Sequence, residues 1–103
     1  MLNAYKFETE KLCRSKGWND VPVEKVWLLL SEEFGELASA VRQHQRVFKK
    51  TNLKKERGQD VRAEMADVFS YLFQLSAMLK VDLDLMWREH KVKVETKKYV
   101  AYQ

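Results

Sequence analysis

Two long stretches of this chain, from about Val21 to Lys49 and from Val61 to Lys80, carry apolar residues at helical spacing with almost nothing to interrupt a helix. The whole chain of 103 residues has only three Gly and one Pro. A β-sandwich or barrel needs a turn signal every ~8–12 residues, so this composition argues against those turn-rich folds. The spacing predicts an all-α, four-helix bundle-like protomer occupying residues 1–103 as a single domain.

The first helix is expected from about Asn3 to Lys16, with Leu2, Tyr5, Leu12 and Cys13 as its apolar members and Gly17 as a left-handed cap. The second starts near Val21–Val23, with Asp20 as its N-cap and Pro22 in the first turn, and runs to Lys49. Its main stripe is Val23, Val26, Leu30, Phe34, Leu37 and Val41. The polar, basic stretch Thr51–Gly58 reads as a loop. Asp60 then caps a third helix reaching Lys80, with Val68, Tyr71, Leu75, Met78 and Leu79 on its stripe. Asp82 caps a fourth, whose Leu83, Met86, Trp87, His90 and Val94 are expected to face inward.

The second and third helices carry more apolar surface than one stripe requires. Trp27, Leu28 and Leu29 spread around one; Met65, Phe69, Leu72 and Phe73 around the other. A helix apolar on most sides wants burial on most sides, which so short a chain cannot supply alone. A homo-oligomer, dimer or tetramer, is expected, against the plainer alternative that these groups are merely exposed. No apolar run approaches the roughly 18 residues of a membrane span, and Met1–Glu10 has no apolar signal core. With a single Cys13, a reducing cytoplasm is the simplest compartment. The net charge of +4 suits a polyanionic partner without choosing among nucleotides, nucleic acid and acidic membranes.

Two acidic clusters interrupt the apolar faces: Glu32, Glu33 and Glu36 on the second helix, Glu64 and Asp67 on the third. Residues three apart share a helix face, so Glu33 neighbours Glu36 and Glu64 neighbours Asp67. The ordinary role of such a pair is a solvated face. The helical wheel argues otherwise. Glu64 falls within the arc of Val68, Tyr71, Leu75 and Met78, with Asp67 on its edge beside Gln74. Glu33 lies between Leu29 and Leu37, with Glu36 next along; Glu32 falls further out. An unpaired buried carboxylate costs several kcal/mol or takes up a proton. The apolar faces carry few basic residues at matching positions, so a bound divalent cation is the cheapest solution. An all-oxygen donor set favours Mg²⁺, or Mn²⁺, over zinc.

The paired motifs, Glu33-x-x-Glu36 and then Glu64-x-x-Asp67 after 27 intervening residues, resemble the signature of the MazG-like, all-α nucleoside triphosphate pyrophosphohydrolases. Leu30–Leu37, reading LSEEFGEL, is similar to the family's first helix motif, and Ala63–Leu72, reading AEMADVFSYL, to its second. Val81–Leu85 followed by a basic helix matches the usual ending, so the resemblance spans about Trp18 to Tyr99. It implies a fold of helices and an enzyme that cleaves a nucleoside triphosphate to the monophosphate and pyrophosphate. Glu33, Glu36, Glu64 and Asp67 would hold Mg²⁺ on the phosphates, and a water would attack the α-phosphorus. Glu32 would orient or deprotonate that water. Tyr71 and Trp18 correspond to aromatics that contact the base, although both positions also suit core packing. Lys91 and Lys98 correspond to basic positions that reach phosphate, although lysines on a terminal helix are commonly solvated.

Two positions depart from the family pattern. Glu95 stands where an Asn is usual between those lysines, and the connector after Trp18 lacks the histidine of some dCTP-cleaving members. Both bear on nucleotide choice and leave the acidic set intact. The basic run of Arg42, Arg46, Lys49, Lys50, Lys54, Lys55 and Arg57 admits a solvated face, a phosphate contact or a nucleic-acid patch. Only Phe48 is interleaved with it, so single-strand stacking gains little support. A non-catalytic nucleic-acid-binding or scaffold protein is therefore the alternative reading. A di-iron bundle is disfavoured because neither His44 nor His90 stands three residues after a Glu.

Overall fold

The computed structural model describes residues 1–45 and 60–97. Among them are four helices and no strand: α1 (Leu2–Lys16), α2 (Val23–His44), α3 (Val61–Met78) and α4 (Leu83–Thr96). The fold is all-α and bundle-like, as the spacing predicts. Its central pair is α2 on α3; α1 packs across α3, and α4 leans lightly on α1.

The helix ends follow from the punctuation residues. Gly17 adopts φ 74°, and the Gly17 and Trp18 amides donate to the Arg14 and Cys13 carbonyls at 3.2 and 2.8 Å. That pair of bonds is a Schellman cap, and it sets Trp18 at the start of the connector. The same motif closes α3, where the Lys80 and Val81 amides donate to Ala77 and Ser76. There the left-handed residue is Lys80 at φ 57°, a position glycine would take without steric cost. The helix therefore ends at Met78, two residues short of the expected Lys80. Asp60 accepts from the Arg62 amide and Asp82 from the Leu85 amide, both as expected.

Asp20 does not cap α2. Pro22 is itself the N-cap residue, and its carbonyl accepts from the Lys25 and Val26 amides. Asp20 stands two residues further out, too early to reach the first-turn amides. The C-cap of α2 is Gln45, short of Lys49; residues 46–59, including most of the basic run, lie outside the described residues.

The core is small. Val26, Leu30 and Ala40 are fully buried; Val68, Cys13 and Leu83 are nearly so. Phe34 and Val41, expected on the inward stripe of α2, are 46% and 44% exposed, and Leu79 on α3 is exposed too. Met86, Trp87, His90 and Val94, expected to face inward on α4, are also exposed. The reason is geometric. A radius of gyration of 17.3 Å exceeds the roughly 13 Å of a compact domain of this length, so the helices spread rather than close around one core. α4 is anchored mainly by its first turn. The Leu2 amide donates to Asp84, Asn3 Nδ2 donates to Asp82, and the Leu83 amide donates to Asn3 Oδ1. Nearby, the buried Lys6 ammonium donates to the Val81 carbonyl at 2.7 Å. No helix among the described residues is long and apolar enough to cross a membrane.

Candidate metal centre and adjoining cleft

The helical spacing on α2 and α3 turns acidic side chains of both toward one seam. Carboxylate oxygens of Glu33, Glu64 and Asp67 all lie within 4.8 Å of one another. Glu36, exposed on α2, stands outside that group, but its charge and side chain act on Glu64. Glu32 is exposed, one position outside the set, yet its charge reaches both Glu33 and Tyr71.

Glu33 and Glu64 are partly buried, and each keeps one buried oxygen, Oε2, without a hydrogen-bond partner among the described residues. Burial pushes the Glu33 carboxyl above its ordinary value, and the charges of Asp67, Glu36, Glu64 and Glu32 push it further. Glu64 is raised by burial, by the charges of Glu36 and Asp67, and by its side-chain interaction with Glu36. The charges acting most strongly on both are other carboxylates. A solvated acidic face would not bury oxygens without partners, and a salt-bridged one would lower these values. A hard divalent cation satisfies the orphaned oxygens and removes the mutual repulsion, so the residues present fit such an ion.

A cavity of about 400 Å³ opens beside this centre, with Glu33 and Asp67 at its acidic end. Val26 and Leu29 of α2 and Trp18 and Val21 of the connector supply apolar wall. α3 adds Ser70, Tyr71 and Gln74; α1 adds Thr9, Leu12 and Cys13. The Tyr71 phenol is held above its ordinary range by burial and then by the charges of Glu33 and Asp67, so it stays a neutral donor beside the acids. Burial likewise raises the Cys13 thiol, which leaves it protonated and inert.

Of the five predicted acids, Glu33, Glu64 and Asp67 are thus brought to one seam, with Glu36 and Glu32 exposed beside it, and Trp18 and Tyr71 are brought to the cleft that adjoins it. Lys91 is not: it is exposed on α4 and pairs with Glu95 at 3.9 Å. Lys98 lies outside the described residues. Sequence reasoning missed the contribution of α1 and of Gln74. Both left a signal. Thr9, Leu12 and Cys13 recur at i, i+3, i+4, and Gln74 shares the face of Asp67 two turns on.

Partly buried Glu33 and Glu64, with Asp67, form an acidic cluster on two helices that fits a divalent cation and opens onto a largely apolar cleft with aromatic walls. The model of the MazG nucleotide pyrophosphohydrolase domain family matches residues 22–99, and the chain belongs to that family. Membership supports nucleotide pyrophosphohydrolase activity, and the family is generally dependent on a divalent metal. No curated protein and no solved structure matches the chain.

Proposed function

We propose that this protein is a Mg²⁺-dependent nucleoside triphosphate pyrophosphohydrolase that yields the monophosphate and pyrophosphate. The observation carrying the reading is the pair of orphaned buried oxygens of Glu33 and Glu64 at the acidic end of an apolar cleft. Glu33, Glu36, Glu64 and Asp67 would hold the cation. When bound, it offsets phosphate charge and lowers the pKa of the attacking water. Glu32, solvent-facing beside Glu33, orients that water and accepts its proton. Trp18 and Tyr71 flank the base, so the scissile α-phosphorus stays next to the acids. Tyr71 keeps its proton and donates a hydrogen bond. Lys91, solvated and paired with Glu95, has no part within one chain; a phosphate contact from Lys98 rests on the family resemblance alone.

The active species is a homo-oligomer. Trp27, Leu28 and Phe34 on α2, Phe69 on α3 and Trp87 on α4 are all about half exposed or more, an apolar surface that a lone protomer rarely leaves to water. A reducing cytoplasm suits the free, buried Cys13. Nucleic acid is not the expected partner, nor is a membrane.

The test is pyrophosphate release from a panel of NTPs and dNTPs, in Mg²⁺ and in EDTA, on protein whose assembly is read by sedimentation. Metal-dependent release with the matching monophosphate is expected. Release from no nucleotide would sink the hydrolase reading and favour a helical scaffold.

A further inference from the structure

The matched family segment begins at residue 22, so α1 lies outside it, yet α1 forms the wall of the cleft away from the acids. From Asp67 to Gln74 the cleft follows two turns of α3, about 10 Å, which separates the phosphate end from the far wall. Two polar side chains stand at that wall, and a backbone carbonyl fixes the polarity of each.

Thr9 Oγ1 donates its proton to the Tyr5 carbonyl at 2.8 Å. A hydroxyl whose one proton is committed can only accept from a ligand. Gln74 Nε2 donates to the Trp18 carbonyl at 3.3 Å. Flipping that amide would set two oxygens face to face, so its orientation is pinned. It keeps Oε1 to accept and one N–H to donate. The rest of the wall, Leu12 and Cys13, offers no strong donor.

We propose that this wall selects nucleobases carrying an exocyclic amino group next to an unprotonated ring nitrogen, as in cytosine and adenine, over their keto counterparts. The proposal rests on the hydrolase reading for the phosphate end only. The amino group has two N–H donors. One meets Thr9 Oγ1 and the other Gln74 Oε1, while the remaining Gln74 N–H meets the ring nitrogen. Uracil and hypoxanthine present the reverse edge, an oxygen acceptor beside an N–H. Against this wall their oxygen faces acceptors and their ring N–H opposes the amide's own N–H. Polar groups left unpaired once a base covers them are costly, which makes the half-buried wall a filter rather than a mere surface.

Calorimetric binding of the nucleoside 5′-monophosphates tests this without turnover. CMP against UMP and AMP against IMP are matched pairs that differ by exchange of amino for keto. The measurement is made in Mg²⁺ and in EDTA. A preference of about tenfold for the amino member is expected in at least one pair, the pair that shows it naming pyrimidine or purine. Thr9→Val should reduce that ratio severalfold with helical content unchanged, and Thr9→Ser, which keeps the acceptor, should retain it. Equal binding within both pairs, a keto preference, a ratio untouched by Thr9→Val, or no binding of any monophosphate would overturn the proposal. Amino preference without pyrophosphate release would remove the hydrolase reading and leave this one. Release without amino preference would do the opposite.

Discussion

The seam between α2 and α3 and the junction between α1 and α4 are both built on carboxylates, and they treat them in opposite ways. At the junction, Asp82 Oδ1 accepts from Asn3 Nδ2 and from the Leu85 amide. Those bonds hold its carboxyl below the ordinary value, with a smaller contribution from the Lys6 charge. At the seam, Glu33 and Glu64 are raised by burial and by other acids, and one oxygen of each has no partner among the described residues. A carboxylate whose oxygens are satisfied by donors holds a fold together. One packed against its own kind strains the fold and stores affinity for a cation. The seam is the candidate functional end of the molecule proposed above, and the junction is a clasp.

The largest effect should come from breaking the seam. Glu64→Gln removes a raised, poorly partnered charge and, on the proposed reading, a cation ligand together. Turnover should fall by at least about a hundredfold, since even outer-shell partners of metals cost 10–100-fold when lost. The metal-free protein should melt at the same temperature or higher, and the stabilisation by Mg²⁺ should shrink. A lower metal-free melting point with full activity would reverse the assignment of the two regions.

A second experiment sharpens the comparison by pH. Glu33 and Glu64 have raised values in the fold, so their penalty is fully present above those values and disappears below the ordinary carboxylate value. Metal-free protein should therefore gain stability from this seam as pH falls from neutral toward that value. With Mg²⁺ the sign inverts, because protons compete for the ligand oxygens. Asp82 acts in a lower window. Its value is depressed, so its contribution is complete above the ordinary value and is lost as pH falls through the folded one. Melting temperature against pH, in EDTA and in Mg²⁺, should give curves that converge toward acid. Parallel curves would mean that no cation binds at these groups.

How much of this was legible in the sequence depends on how local the cause is. The caps at Gly17, Asp60 and Asp82 were, because each is decided by a residue and its next few neighbours. The neighbourhood of Glu33, Glu64 and Asp67 was legible in part, because helical spacing puts Glu64 with Asp67 on one face of α3 and Glu33 on the face of α2 that meets it. Pro22 displaced Asp20 because two capping signals stood two residues apart and spacing does not rank them. The inward face of α4 was misjudged for a different reason. Amphipathic spacing says which residues share a face, and it is silent on whether this chain supplies the surface that covers them. The far wall of the cleft was missed because the spacing of Thr9, Leu12 and Cys13 shows only that they share a face, and tertiary packing alone brings that face against α3.

The smallest effect tests the clasp. Asn3 bridges the two helices, donating to Asp82 and accepting from the Leu83 amide, both at 2.9 Å. Asn3→Ala removes both bonds and leaves the amide of the buried Leu83 without its acceptor. The cost should be about 1–2 kcal/mol of stability, read by denaturant unfolding. Asp82 should keep its bond from Leu85, so α4 should stay helical by circular dichroism. Mg²⁺ affinity and kcat should be unchanged, because the bridge joins the starts of α1 and α4 and touches none of the five acids. This is the mirror image of Glu64→Gln, which trades activity and leaves the metal-free fold intact. If Asn3→Ala instead weakened Mg²⁺ binding, the junction would be coupled to the seam through α1, and the two regions would have to be treated as one cooperative unit.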